Sequence, residues 1–206
     1  MLIKCLTVGA VQANCYIVSD EKSMESVVID PGAESNTIMN YLEDNGLSCK
    51  YIFLTHGHFD HTGAADALRK QTGAPICINR KDVVKNPLEI AYKYKLPSGE
   101  NIFIKEGDTM KVGSLVFEVL ETPGHSQGSV TFRCEDVLFT GDTLFHGSIG
   151  RTDFPGCSYK DMMASLLKLC RLEGDYEVYP GHMDATTLEA ERRYNFFIKE
   201  AYDSEK

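Results

Sequence analysis

Four side chains able to hold a metal fall within six residues, in Thr55-His56-Gly57-His58-Phe59-Asp60-His61. They directly follow an apolar run, Tyr51 to Leu54, that reads as a buried strand, and they open a helical pattern from Asp60 to Gln71. A strand end is rigid, and loops carried on rigid ends are where binding and catalytic groups concentrate. In extended chain His56 and His58 are two residues apart, so both rings point to one side and can grip one ion. Asp60 and His61 are adjacent at a helix start, so they diverge toward a second ion close by.

Three later segments repeat the same placement. His125 lies in Thr122-Pro123-Gly124-His125-Ser126 between two strand-like runs, Asp142 follows Phe139-Thr140-Gly141, and His182 follows Tyr179-Pro180-Gly181. Taken singly, each reads as an ordinary turn residue. Taken together, strand, glycine and ligand recur in a way that gathers distant side chains at one edge of a pair of sheets. Five histidines and two aspartates exceed the four ligands of one tetrahedral ion, so the count argues for two metals. The sixth histidine, His146, sits four residues past Asp142 and is a candidate substrate contact.

The rest of the chain supplies a frame for this edge. Leu2 to Val8, Asn14 to Ser19 and Ser26 to Ile29 read as strands, and Asp30-Pro31-Gly32 as a turn. Glu34 to Asn45, closed by Gly46, reads as a helix, and Pro75 to Ile78 as a strand. Lys81 to Asn101 is polar and is expected to form a helix followed by a surface loop. Strand patterns return at Met110 to Lys111, Leu115 to Leu120, Ser129 to Cys134 and Val137 to Thr140. Tyr159 to Cys170 is an amphipathic helix, Tyr176 to Tyr179 a strand, and Thr186 to Lys199 a final helix. Two halves of similar order predict an α/β fold, a four-layer αββα sandwich with two sheets face to face and helices outside. No linker, repeat or charge block divides residues 1–206, which are expected to form a single domain.

Composition narrows the partners. Thirty acidic against twenty-one basic residues give a net charge of -9, which repels a phosphate backbone, so nucleic acid is not expected. No apolar run approaches the roughly 18 residues of a membrane span, and no leader pattern opens the chain, so a cytoplasmic protein without a membrane partner is expected. Seven cysteines occur with no C-x-x-C pair and are expected to be reduced, mostly buried thiols.

His56-x-His58-x-Asp60-His61, then His125, Asp142 and His182 in that order, resembles the motif pattern of the metallo-β-lactamase superfamily. Gly141-Asp142-Thr143-Leu144-Phe145 and Gly150-Arg151-Thr152-Asp153 are similar to its glyoxalase II (hydroxyacylglutathione hydrolase) branch, in a short form without the C-terminal helical extension. The resemblance spans Ile29 to His182. It implies a first metal on His56, His58 and His125, a second on Asp60, His61 and His182, and Asp142 bridging both. Asp30 would support these ligands from behind. The ions would be two divalent metals, zinc foremost, with iron or manganese as alternatives. The implied activity is hydrolysis of a small anionic acyl thioester, such as S-2-hydroxyacylglutathione, by a metal-held hydroxide, with Asp60 and Asp142 catalytic. Arg151 would dock a substrate carboxylate, or else pair internally with Asp153. Arg192, Arg193 and Tyr194 read as a solvated face. The same branch contains iron persulfide dioxygenases, which act on glutathione persulfide and would use only His56, His125 and Asp142. A hydrolase of non-glutathione esters or lactones is a further alternative.

Overall fold

Strand residues alternate between two interiors, and that alternation sets the layers. The computed structural model describes residues 1–89 and 93–204. Among these, a first six-stranded sheet runs β1 (Leu2–Val8), β2 (Ala13–Ser19), β3 (Glu25–Ile29), β4 (Ser48–Phe53), β5 (Ile76–Asn79) and β6 (Asn101–Ile104), in that spatial order. Its first three strands are antiparallel, and β3 through β6 are parallel. Helices α1 (Ser35–Asp44), α2 (Phe59–Thr62) and α3 (Ala65–Thr72) connect the parallel strands.

The second half begins with β7 (Thr109–Val112), β8 (Leu115–Glu121), β9 (Val130–Cys134) and β10 (Val137–Gly141). A small hairpin follows, β11 (Leu144–Phe145) and β12 (Ser148–Ile149), then α4 (Tyr159–Cys170), β13 (Glu177–Pro180), β14 (Thr186–Thr187), α5 (Leu188–Tyr194) and α6 (Phe196–Asp203). The second sheet has the order β14-β13-β10-β9-β8-β7.

The two sheets face each other across a core that contains Tyr16, Val27, Phe53, Phe117, Phe132 and Phe139. Phe53 stacks on Phe132 at 4.6 Å between ring centroids and meets Phe117 edge-on at 5.4 Å. The intervening residues Ile17, Val28 and Ile52 point the other way, against Ile38 and Leu42 of α1 and Leu68 of α3. On the far side Leu138 and Val178 pack against Met162 and Leu166 of α4 and Ile198 of α6. This is the expected αββα sandwich.

Four features differ from the sequence reading. The helix expected over Asp60 to Gln71 is broken between α2 and α3. There a side chain at Gly63 would meet the Gly32 carbonyl at 2.3 Å, and Ala64 N–H donates to Pro31 O instead of to its own helix. The expected helix after Lys81 is replaced by two short 3-10 turns, Arg80–Asp82 and Pro87–Glu89, and part of it, 90–92, lies outside the described residues. β6 is a strand that the sequence reading did not assign, its first residue Asn101 being the last of the expected loop; it forms because Ile102 and Ile104 alternate inward beside β5. The expected helix from Thr186 to Lys199 starts as strand β14 and breaks at Asn195. That side chain caps α6 by accepting from Phe197 N–H and donates to Ser148 O and Glu191 Oε2.

All seven cysteines are unbonded, with Cys15, Cys77, Cys134 and Cys170 buried and Cys5 exposed. No helix among the described residues is long and apolar enough to cross a membrane.

Candidate metal centre

Strand ends from both sheets meet at one edge. β4 delivers Thr55 through His61, the loop from β8 to β9 delivers His125, β10 delivers Asp142, and β13 delivers His182. Two sets of three ligand atoms result, His56, His58, His125 and Asp60, His61, His182, each within 4.8 Å of one another. In the first set His58 Nδ1 lies 2.8 Å from His125 Nε2. In the second, His182 Nε2 lies 3.3 Å from both His61 Nε2 and Asp60 Oδ2. Asp142 lies between them: its Oδ2 is 3.4 Å from His125 Nε2 and its Oδ1 3.4 Å from His61 Nε2. The sequence placed all seven residues together, and the fold brings all seven together.

Hydrogen bonds behind the rings decide which nitrogen faces inward. His61 Nδ1–H donates to Asp30 Oδ2 at 3.0 Å, and His125 Nδ1–H donates to the Arg151 carbonyl at 2.8 Å. Thr55 Oγ1 donates to Asp30 Oδ2, so it is left to accept from His56 Nδ1–H at 3.1 Å. His56 and His125 therefore present an Nε2 lone pair to the cluster, and His61 does so once its Nε2 proton is displaced. His56 Nε2 is fully buried and has no hydrogen-bond partner. A buried, unpaired ring nitrogen is costly in a folded chain, and a cation gives it a partner. The donor set, imidazoles with carboxylates, suits a divalent transition metal.

Asp30, His56 and His61 also approach within 4.8 Å. Asp30 is already occupied, because it accepts from Thr55 N–H and Thr55 Oγ1 as well as from His61. It sits behind the His61 ring, on the Nδ1 side.

The local field splits the histidines. Burial and the neighbouring rings hold His56 well below the usual histidine range, and burial together with His125 pulls His58 down to about 4. Both rings are neutral, the form that binds metal. At His61 burial disfavours the charged form, but Asp142, Asp30 and Asp60 outweigh it and lift the pKa to about 9. At Asp60 burial opposes ionisation, yet the hydrogen bond from His182 and the nearby His61 hold it at about 2.

Three residues that hold the ligand loops escaped the sequence reading. Asp82, 1% exposed, accepts from Gly57 N–H at 2.9 Å, Gly128 N–H at 2.7 Å and the Ser126 hydroxyl at 2.5 Å. Asn14 Nδ2 donates to Pro180 O and Met183 O, and Tyr16 O–H donates to Pro180 O, so β2 fixes the His182 loop. Asn14 had a signal, a polar residue in an apolar strand. Asp82 had none, being one acid in a polar stretch.

A cleft of about 800 Å³ opens over the cluster. Its walls include Phe59, Phe145, Ile149 and Phe154, and Arg151 is the cationic side chain among its lining residues apart from histidine. The Arg151 guanidinium sits 3.7 Å over the Phe154 ring and also pairs with Asp153 at 2.7 and 2.8 Å. Both readings of Arg151 thus have a geometric basis. His146 is exposed in the turn between β11 and β12 and is not among the lining residues. Arg192 differs from a solvated residue: it donates to the carbonyls of Cys170, Leu172 and Gly174 and so secures the chain after α4. Arg193 pairs with Glu189 at the surface, and Tyr194 is 76% exposed.

Known proteins resemble this chain in sequence and in fold. Hydroxyacylglutathione hydrolase GloC of Haemophilus influenzae is 37% identical over 209 residues, covering 96% of this chain and 98% of that protein. Among solved structures, the B3 metallo-β-lactamase BLEG-1 superposes with a TM-score of 0.86 at 32% identity, covering 96% of this chain and 99% of that one. ETHE1 from Myxococcus xanthus gives 0.84 at 29% identity, with 100% and 92% covered. TTHA1623 in a di-iron-bound form gives 0.81 at 36% identity, with 95% and 100% covered. The model of the metallo-beta-lactamase superfamily matches residues 8–182, from the end of the first strand through the last clustered histidine. On that ground the chain belongs to the metallo-β-lactamase superfamily of metal-binding hydrolases.

Proposed function

We propose that this protein hydrolyses an acyl thioester, with S-2-hydroxyacylglutathione as the representative substrate. The observation that carries the reading is the pair of ligand sets that share Asp142 beneath one open cleft. The likeness to GloC supports thioester chemistry. His56, His58 and His125 would hold one ion, Asp60, His61 and His182 the other, and zinc is the proposed metal. Two divalent cations bound there supply Lewis acidity toward a carbonyl oxygen and lower the pKa of a coordinated water toward about 7.

The chain's own groups supply the rest. Asp60, ionised and lining the cleft, accepts a hydrogen bond from the attacking water and so orients it toward the acyl carbon, while solvent takes the proton that the water loses. The carbon–sulfur bond then breaks with its electron pair on sulfur, and a thiolate is stable enough to depart without a strong acid. Arg151 attracts the substrate's anionic group, while Phe145, Ile149 and Phe154 exclude water from its body.

A second reading, a one-iron persulfide dioxygenase on His56, His125 and Asp142, draws on the likeness to ETHE1. It leaves His58, Asp60, His61 and His182 without a role as ligands. Elemental analysis of freshly purified protein, joined to an assay on S-lactoylglutathione, separates the two. Two metals per chain with thioester turnover are expected. One iron per chain with oxygen uptake on glutathione persulfide would replace the hydrolase reading with the dioxygenase.

A further inference from the structure

A buried carboxylate that takes no part in this chemistry stands behind the first set of ligands. Asp82 lies in the 3-10 turn after β5, and each of its oxygens is engaged: Oδ1 by Gly128 N–H, Oδ2 by Gly57 N–H and Ser126 Oγ–H. Gly57 separates His56 from His58, and Ser126 follows His125. One carboxylate therefore joins the two loops that carry all three first-set histidines.

The neighbouring glycines are shaped around it. A Cβ at Gly57 would fall 2.5 Å from the Asp82 carbonyl oxygen, and a Cβ at Gly128 would fall 2.6 Å from Asp82 Oδ1. The loops can close on Asp82 only because both positions lack a side chain. Burial pushes the Asp82 carboxyl up, and the three donors oppose that. Its bonds reach neither the Asp60–His61 turn, nor Asp142, nor the His182 loop. Those second-set elements have other supports, Asp30 behind His61 and Asn14 with Tyr16 behind His182.

We propose that Asp82 is a positioning residue for the first metal site alone, setting the separation of the His56–His58 and His125 loops, so that the two sites can be weakened independently. In Asp82→Asn one carboxylate oxygen becomes an N–H group facing a donor, so one loop is released while the side chain keeps its size.

The proposal rests on the two-site reading, and the test keeps the two apart by isolating each site first. His182→Ala cripples the second site and His56→Ala the first, and zinc affinity is measured in each by competition with a chromophoric chelator. Asp82→Asn is expected to weaken zinc at least tenfold in the His182→Ala chain and to leave it within twofold in the His56→Ala chain. Ser126→Ala removes one of the three bonds without burying an unpaired charge. It is expected to shift the same chain in the same direction by less, and it serves should Asp82→Asn not fold. Equal weakening in both backgrounds would reduce Asp82 to a general structural role, and unchanged affinity in the His182→Ala chain would overturn the proposal. A wild-type chain that takes one zinc, lost in His56→Ala and kept in His182→Ala, would instead overturn the two-site reading and leave Asp82 testable at the remaining site.

Discussion

Asp30 Oδ2 lies 3.0 Å from His61 Nδ1, with the His61 side chain 0% and the Asp30 side chain 2% exposed. Asp30 holds this position with a backbone φ of 51°, a left-handed conformation that aspartate and asparagine tolerate better than most residues. In Asp30→Asn that backbone is kept, but a single amide oxygen must serve three donors: Thr55 N–H, Thr55 Oγ–H and His61 Nδ1–H. His61 then loses the partner that fixes its tautomer. Metal affinity at the Asp60, His61, His182 set is expected to fall by about 10- to 100-fold in a zinc competition titration. Wild-type affinity in this variant would show that Asp30 does not orient the ring.

With metal stripped by chelator, the raised histidines set a pH slope. His61 stands at about 9, where burial lowers it but Asp142, Asp30 and Asp60 win, and His182 is raised in spite of burial by its hydrogen bond to Asp60. A folded pKa above the unfolded value of about 6.5 stabilises fully below that pH and progressively less as pH rises toward the folded value. The stripped protein should therefore lose melting temperature as pH rises from about 6.5 toward 9, with thiols that ionise in the unfolded chain adding a loss of the same sign near the upper end. His61→Phe should flatten the slope. A melting temperature that rises across this window would contradict the assignment.

Phe132 is fully buried between the sheets and stacks on Phe53 at 4.6 Å. Phe132→Ala is expected to destabilise the fold by about 3–5 kcal/mol, through lost burial and an unfilled cavity. Urea unfolding measures it. A loss under about 1 kcal/mol would mean the two sheets close over the gap with little cost.

Arg151 lines the cleft yet has Nε and Nη2 committed to Asp153. If its remaining charge docks a substrate anion, Arg151→Ala should raise KM about tenfold and keep kcat within about twofold. Steady-state kinetics on S-lactoylglutathione decides. A fall in kcat with KM unchanged would place the guanidinium in the chemical step instead.

The metal edge was the most legible part of the chain, because His56 through His61 crowd chelating side chains into one turn and glycine precedes His125, Asp142 and His182. The layers were legible too, since Tyr16, Ile17 and Val18 alternate as a strand shared by two interiors must. What stayed hidden was decided by contacts distant in sequence. The break between α2 and α3 goes with the bond from Ala64 N–H to the Pro31 carbonyl, and no local pattern marks it. β6 is short and peripheral, and its identity depends on β5 lying alongside. Asp82 acts through backbone N–H groups 25 and 46 residues away, which one carboxylate in a polar stretch cannot announce. Arg192 looked like surface charge because its partners are carbonyls, and carbonyls leave no mark in a sequence.

The convergence of loops from both sheets has a consequence for how the molecule comes to exist. His56 and His58 belong to the first sheet's loops, while His125, Asp142 and His182 arrive with the second. During synthesis a chain stopped before residue 182 would lack one of the proposed ligands of the second ion, whatever its earlier strands have done. Under the proposed ligand assignment, metal capture would follow docking of the two halves, and a bound ion would work as a rivet set last, holding shut a seam that packing has already closed.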